Sequence, residues 1–256
     1  MASTSPQDDS EKRLGGKRAE VQLAPFAARP KLADEVAHRI RHAILTGAYK
    51  TGDKLVLEQL ADQLGVSIMP VREALISLQS QALVTAVPRK GFRVHPLNQQ
   101  DLDDLFELHA HLAGILAGRA ALVVTPADVA QLRSIQERLV AASSPPISRA
   151  ASRRLAECNG EFHRYINRLP SGDRIRWFIR QTVQFIPDDL YRTVPGWLEG
   201  SLRDHPKIID ALDARDRSRA RSLMESHLFQ GAELIGRSLK HPVFSGRMDG
   251  MDGSAT

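Results

Sequence analysis

Between Leu57 and Leu78 two short amphipathic segments follow one another with almost no connecting chain. Leu57, Leu60, Ala61 and Leu64 fall on one face of a helix that Gly65 must end. Two residues later Ser67 is placed to cap a second helix through its hydroxyl. Pro70 is tolerated in that helix's first turn, where backbone N–H groups lack partners, and Val71, Leu75 and Leu78 form its buried stripe. A short helix, a glycine-bearing turn and a second amphipathic helix make a helix-turn-helix pattern. A preceding helix is read from Leu32, Val36, Ile40 and Ile44, spaced by four and stopped at Gly47. Leu83–Val87, the tip Pro88-Arg89-Lys90-Gly91 and Phe92–Val94 then read as a hairpin with a basic, glycine-bearing turn. Together these elements predict a winged helix, whose third helix lies in the DNA major groove while the wing reaches backbone or minor groove.

From Pro96 onward the periodicity is helical throughout. Leu102, Leu105, Phe106, Leu112, Ile115 and Leu116 form one apolar face, and Val129, Leu132, Ile135 and Leu139 a second. Ser143-Ser144-Pro145-Pro146 separates these from a third helix over about 155–169, a fourth spans 175–185, and 186–200 reads as an irregular connection. Two last helices cover about 201–214 and 217–239. The fold class expected is mainly α, with an N-terminal winged helix-turn-helix followed by an all-helical antiparallel bundle. Domain limits follow: a flexible basic arm over 1–30, the winged helix over 31–95, the bundle over 100–240 and a disordered tail over 245–256.

Composition supports this. Aromatic residues are few (Phe 8, Tyr 3, Trp 2), so aliphatic side chains must fill the core, which suits helices. The single cysteine, Cys158, excludes an intramolecular disulfide framework and fits a reducing compartment. No stretch approaches the roughly 18 apolar residues of a membrane span, and Met1–Ser10 lacks a signal-peptide core, so a cytoplasmic location with no membrane partner is expected. Residues 1–95 carry 14 basic and 10 acidic side chains, while the remainder is nearly balanced, a mild pointer to a polyanion partner at the N-terminal end. Lys12, Arg13, Lys17 and Arg18 in the arm are candidates for added phosphate contacts.

The string Gln63-Leu64-Gly65-Val66-Ser67-Ile68-Met69-Pro70-Val71-Arg72-Glu73-Ala74-Leu75, with the Pro-Arg-Lys-Gly wing, resembles the winged helix of the GntR family of bacterial transcription regulators over Leu32–Val94. By that resemblance Ser67, Ile68, Met69, Pro70, Arg72, Arg89, Lys90 and Gly91 are the positions that meet DNA. Arg72 lies off the buried stripe, where its guanidinium can reach guanine or phosphate, and Gly91 allows close backbone approach. One departure is Ile68, where the family usually has arginine; it cannot hydrogen-bond a base but can meet a thymine methyl.

The C-terminal half, about Asp101–Leu239, resembles the FCD effector domain of the FadR subfamily, most clearly at Asn159-Gly160-Glu161-Phe162-His163 and from Ser201 through His205 to His227. The resemblance implies a divalent metal held by Asn159, His163, His205 and His227. Independently, Asn159 and His163 share a helical face at i, i+4, and His227 falls on the apolar side of its helix among Leu223, Met224, Leu228, Leu234 and Ile235. Three neutral imidazoles suit zinc, or nickel, with an oxygen ligand completing the shell. At the start of the bundle, where many relatives have arginine followed four residues later by glutamate, this chain has His109 and Ala113. His109 remains a candidate effector contact, and the lost arginine leaves the effector open between an organic acid and an acyl ligand.

The leading reading is a DNA-binding regulator, a repressor or activator. It acts as a homodimer on a palindromic operator and is controlled by a small molecule bound near the metal. Two rivals are a metal sensor in which the ion is the signal, and a three-histidine metalloenzyme. The latter lacks an evident general base, since Glu161 points away from the Asn159/His163 face.

Overall fold

A computed structural model describes residues 32–88, 91–96, 99–186 and 190–238. The arm over 1–30, with Lys12, Arg13, Lys17 and Arg18, the wing-tip residues Arg89 and Lys90, and the tail over 245–256 lie outside the described residues.

The winged helix is built as its periodicity requires. Helix α1 (Leu32–Leu45) buries Val36, Ile40 and Ile44, while Leu32, placed on the same stripe by spacing, is half exposed at the helix start. Helix α2 (Leu57–Leu64) ends at Gly65, whose φ of 66° is left-handed and whose N–H closes the last turn on Ala61 and Asp62 carbonyls. Helix α3 (Ile68–Ser80) starts at Ser67, which holds the extended N-cap backbone, but its hydroxyl makes no capping hydrogen bond. Ser67 thus marks the helix start by backbone geometry and not through the side-chain bond its identity suggests. Val71, Ala74, Leu75 and Leu78 are fully buried against the first two helices. The hairpin of β2 (Val84–Val87) and β3 (Gly91–Val94) forms as read, and a third strand, β1 (Lys54–Leu55), adds to it in the order β1-β3-β2. Leu55 opposite Phe92 ties the α1–α2 connection to the wing, and both side chains are buried. Two residues carry too little pattern to announce a strand.

The bundle opens with α4 (Gln99–Val123), whose buried face beyond His109 is nearly all small: Ala110, Ala113, Ala117, Ala120 and Ala121 beside Leu116. This lets α10 (Arg217–Ser238) lie very close, so a Cβ on Gly118 would stand 3.1 Å from the Arg217 carbonyl oxygen. Helix α5 (Pro126–Ala141) begins with a reciprocal capping box: Thr125 and Asp128 each accept from the other's backbone N–H. Tyr165 of α6 (Arg149–Arg168) donates to Asp128 at 2.8 Å, pinning α6 to that cap. α6 starts six residues before its expected onset, at a capped Ser148.

Helix α7 (Asp173–Thr182) continues into a 3-10 turn (Val183–Phe185), and a four-residue helix, α8 (Leu190–Thr193), interrupts the stretch expected to be irregular. Helix α9 (Trp197–Asp213) also begins inside that stretch and carries Pro206 internally. The winged-helix core extends into the first part of the bundle, which keeps a further core of its own around Leu116, Phe162 and Met224. Leu102 and Phe106 of α4, with Phe185, Leu190, Val194 and Ile235, belong to the same buried cluster as Ile40, Ile44 and Leu78 of the winged helix.

Candidate functional site

Three helices deliver three histidines to one point. His163 sits mid-α6, His205 in α9 and His227 in α10, and one ring nitrogen from each lies within 4.8 Å of the others. Ring centroids are 5.0 to 5.4 Å apart, and His205 stacks flat on the fully buried Phe162 at 3.9 Å.

The hydrogen bonds around these rings decide which nitrogens are free. His205 Nδ1–H donates to Gln136 Oε1 at 2.9 Å, which leaves Nε2 bare, buried and without a hydrogen-bond partner among the described residues. A buried nitrogen lone pair facing two other imidazoles is costly unless a cation fills the space between them. Burial, followed by the neighbouring His227, His205, His109 and Arg164, holds His163 well below the ordinary histidine range; burial and His227 do the same for His205. Both are neutral imidazoles at neutral pH, as ligation requires. These residues therefore fit a divalent ion.

Asp204 is the carboxylate of this site. Its Oδ2 is 3.5 Å from His227 Nδ1, and Arg203 holds it with bonds of 2.8 and 2.6 Å. Burial pushes its pKa up, but the hydrogen bonds from His227 and Arg203 outweigh that, and it stays well below the usual carboxylate range. Asn159, expected as the oxygen ligand, lies one turn before His163, and its Oδ1 is 3.5 Å from the Ser201 hydroxyl.

His163 and His227 open onto a cavity of about 610 Å³, with His205 buried behind them. His109 lines it, buried, with Nδ1 3.0 Å from Thr182 Oγ1. Because the threonine gives its single proton to the Ile179 carbonyl, the histidine must be the donor, and its Nε2 is bare. Burial, with His227 as a lesser cause, lowers its pKa to about 4. Ala113, the other departure from the relatives' pattern, is packed into the bundle core and does not line the cavity.

Several side chains around the cavity and the histidines escaped the sequence reading. Asn167 continues the Asn159/His163 face by another turn, a spacing that could have revealed it; its Oδ1 is buried, lines the cavity and has no partner among the described residues. Trp197 Nε1 is in the same condition. Arg164 lines the cavity with its guanidinium folded over Gly160, where a Cβ would stand 2.7 Å from Nη1, and it makes no ion pair among the described residues. Gln136 and Thr182 come from other helices, and no local pattern signals them. Glu161 pairs with Arg138 at 2.7 Å, on the far side of α6.

At the other end of the chain, the outward side of α3 presents Ser67, Ile68, Met69, Arg72 and Glu73, all exposed, with Pro70 half-buried at its start. Gly91, with φ of 86°, opens β3 and pairs with Val87.

Comparison with known proteins agrees with both halves. Residues 32–94 match the model for bacterial regulatory proteins of the gntR family, and residues 104–230 match the FCD domain, so the two span most of the chain. An uncharacterized HTH-type transcriptional regulator of Mycobacterium tuberculosis is 28% identical over 218 residues, covering 85% of each chain. The HTH-type transcriptional repressor GlaR of Escherichia coli is 25% identical over 212 residues, 78% of this chain and 94% of that one. The solved structure of E. coli McbR/YncC superposes with a TM-score of 0.62 at 24% identity, covering 82% of this chain and 99% of the other. This chain belongs to the GntR family of bacterial regulatory proteins, carries an FCD domain behind its winged helix, and is a transcriptional regulator rather than an enzyme.

Proposed function

We propose that the chain is a homodimeric regulator of a palindromic operator, and that a polar organic acid bound beside a zinc ion in the bundle sets its affinity for DNA. The observation that carries this reading is the cavity itself. Its walls join His163 and His227 at one end to Phe106, Ile186 and Leu190 at the other, and those three apolar residues pack on the winged-helix core. A ligand there touches residues on which the DNA-binding part rests, so it can favour one placement of α3 over another.

His163, His205 and His227 would hold the ion, with Asn159 or solvent supplying oxygen and Asp204 orienting His227. Bound there, zinc supplies a Lewis-acid anchor for an anionic oxygen; nickel satisfies the same donors. Asn167 Oδ1 and the Trp197 Nε1–H, both buried, favour an acid with further polar groups over an acyl chain, which would leave both unsatisfied, and the exposed Arg164 at the cavity wall supplies a positive charge for an anion. A sensor of the ion alone would need no cavity of this size.

The exposed apolar residues Leu108 and Leu122 support the dimer. They share the outward stripe of α4 with Asp104, Ile115 and Arg119. A two-fold axis near residues 111–112 sets Asp104 against the partner's Arg119 and Leu108 against the partner's Ile115, a self-complementary match. Likeness to a named repressor supports repression as the sign of control, and a regulator of this kind works in the cytoplasm; no described helix is long and apolar enough to cross a membrane.

Metal analysis of the purified protein, with fluorescence anisotropy on its upstream intergenic DNA, tests the reading. We expect one zinc per chain, lost in His205→Ala, and DNA affinity that shifts when organic acids are added to the zinc form only. Equal metal content in the wild type and His205→Ala overturns the centre, and an acid response that survives chelation separates the effector from the ion.

A further inference from the structure

The outward face of α3 has an unusual chemistry for a helix that meets a polyanion. Val71, Ala74, Leu75 and Leu78 define its buried side. Met69 and Ile76 are one heptad apart, hence within about 20° of each other around the axis, and lie opposite that side. Met69 is 65% exposed, Ile76 55% and Ile68 41%. The only charges on the helix are Arg72 and Glu73, one of each sign. The centre of the face is therefore a strip of large apolar side chains, with Arg72 along one flank and Glu73 along the other.

Such a strip has little to offer phosphates and no hydrogen bond for purine edges. In the major groove the apolar feature is the 5-methyl group of thymine. We infer that Met69 and Ile76, with Ile68 at the helix start, read thymine methyl groups, and that the half-site is a run of thymines beside the one guanine Arg72 can grip. This rests on the reading of α3 as the DNA-contacting helix and names the base chemistry that it recognises. Ile76, two turns into α3, is a specificity-determining residue under this inference. The helix adds almost no net charge, so the phosphate contacts fall to other elements, and apolar truncation on α3 leaves the salt dependence of binding unchanged.

Full-length protein is used to select duplexes from a random pool, and the enriched site is resynthesised with deoxyuridine replacing one thymine at a time. Binding is followed by anisotropy at two salt concentrations for the wild type, Ile76→Ala, Met69→Ala and Arg72→Ala; all three side chains are exposed, and circular dichroism checks folding. Burying one methyl group is worth about 0.8 kcal/mol, so each read thymine should lose about fourfold in affinity on becoming uracil. Ile76→Ala or Met69→Ala should bind the thymine and uracil forms of its own position equally, with the wild-type salt slope. A wild type indifferent to uracil throughout the site overturns the inference, as does unaltered discrimination in both apolar variants. Arg72→Ala without loss of affinity would instead overturn the assignment of α3 to DNA, since an arginine reading a base is worth roughly fivefold to a hundredfold.

Discussion

Acidifying the metal-free protein should destabilise it through His109 by an amount the structure sets. The ring is 5% exposed and its pKa is about 4, against 6.5 for a free histidine. Below 6.5 the unfolded chain takes up a proton that the folded chain refuses. The folded pKa is depressed, so the stabilisation is complete above 6.5 and is lost as pH falls toward 4. A gap of about 2.5 units caps the effect at about 3 kcal/mol. At about pH 5 the unfolded histidine is almost fully charged and the folded one about a tenth charged, which gives a loss of about 2 kcal/mol. For a chain of this size that corresponds to roughly 4–8 °C in Tm. The assay is thermal unfolding by circular dichroism, with chelator present, at about pH 7 and about pH 5, comparing the wild type with His109→Asn. The asparagine amide still has a donor for Thr182 Oγ1 but does not titrate. His163 and His205 shift in the same sense and remain in both proteins, and His109 is only a minor cause of the His163 shift, so the difference between the two pH responses reports chiefly on His109. Equal pH sensitivity would refute the argument that this ring is held neutral by burial.

Three further outcomes follow from the packing. Leu78→Ala, which empties a fully buried position under α3, should cost about 2–5 kcal/mol in urea unfolding and weaken DNA binding with it; an unchanged midpoint would mean α3 is not anchored there. Gly65→Ala should cost about 1–2 kcal/mol, and Gly65→Asn less, because a Cβ there meets nothing within 4 Å and only the left-handed backbone resists substitution; equal costs would point to sterics instead. Leu108→Asp should shift sedimentation toward monomer and reduce operator affinity, and an intact dimer would place the interface elsewhere.

What the amino-acid sequence determined by itself is local. The four-residue spacing in α1, the glycine stop at Gly65, the Val71/Leu75/Leu78 stripe and the basic hairpin each depend on neighbours in the chain, and they suffice for a winged helix. The resemblance to the FCD domain likewise implied His163, His205 and His227 as a metal-ligating set, and the position of His227 on the apolar side of its helix called for a partner. Tertiary structure decided the rest. The bare Nε2 of His205 exists because Gln136, 69 residues away, takes the other nitrogen, and the bare Nε2 of His109 because Thr182 has spent its only proton. The brief strand β1 gains its partner only when β3 arrives, and α9 runs on through Pro206 between the buried His205 and Ile208. Proton placement and burial are properties of groups brought together from distant segments, so no window of sequence contains them.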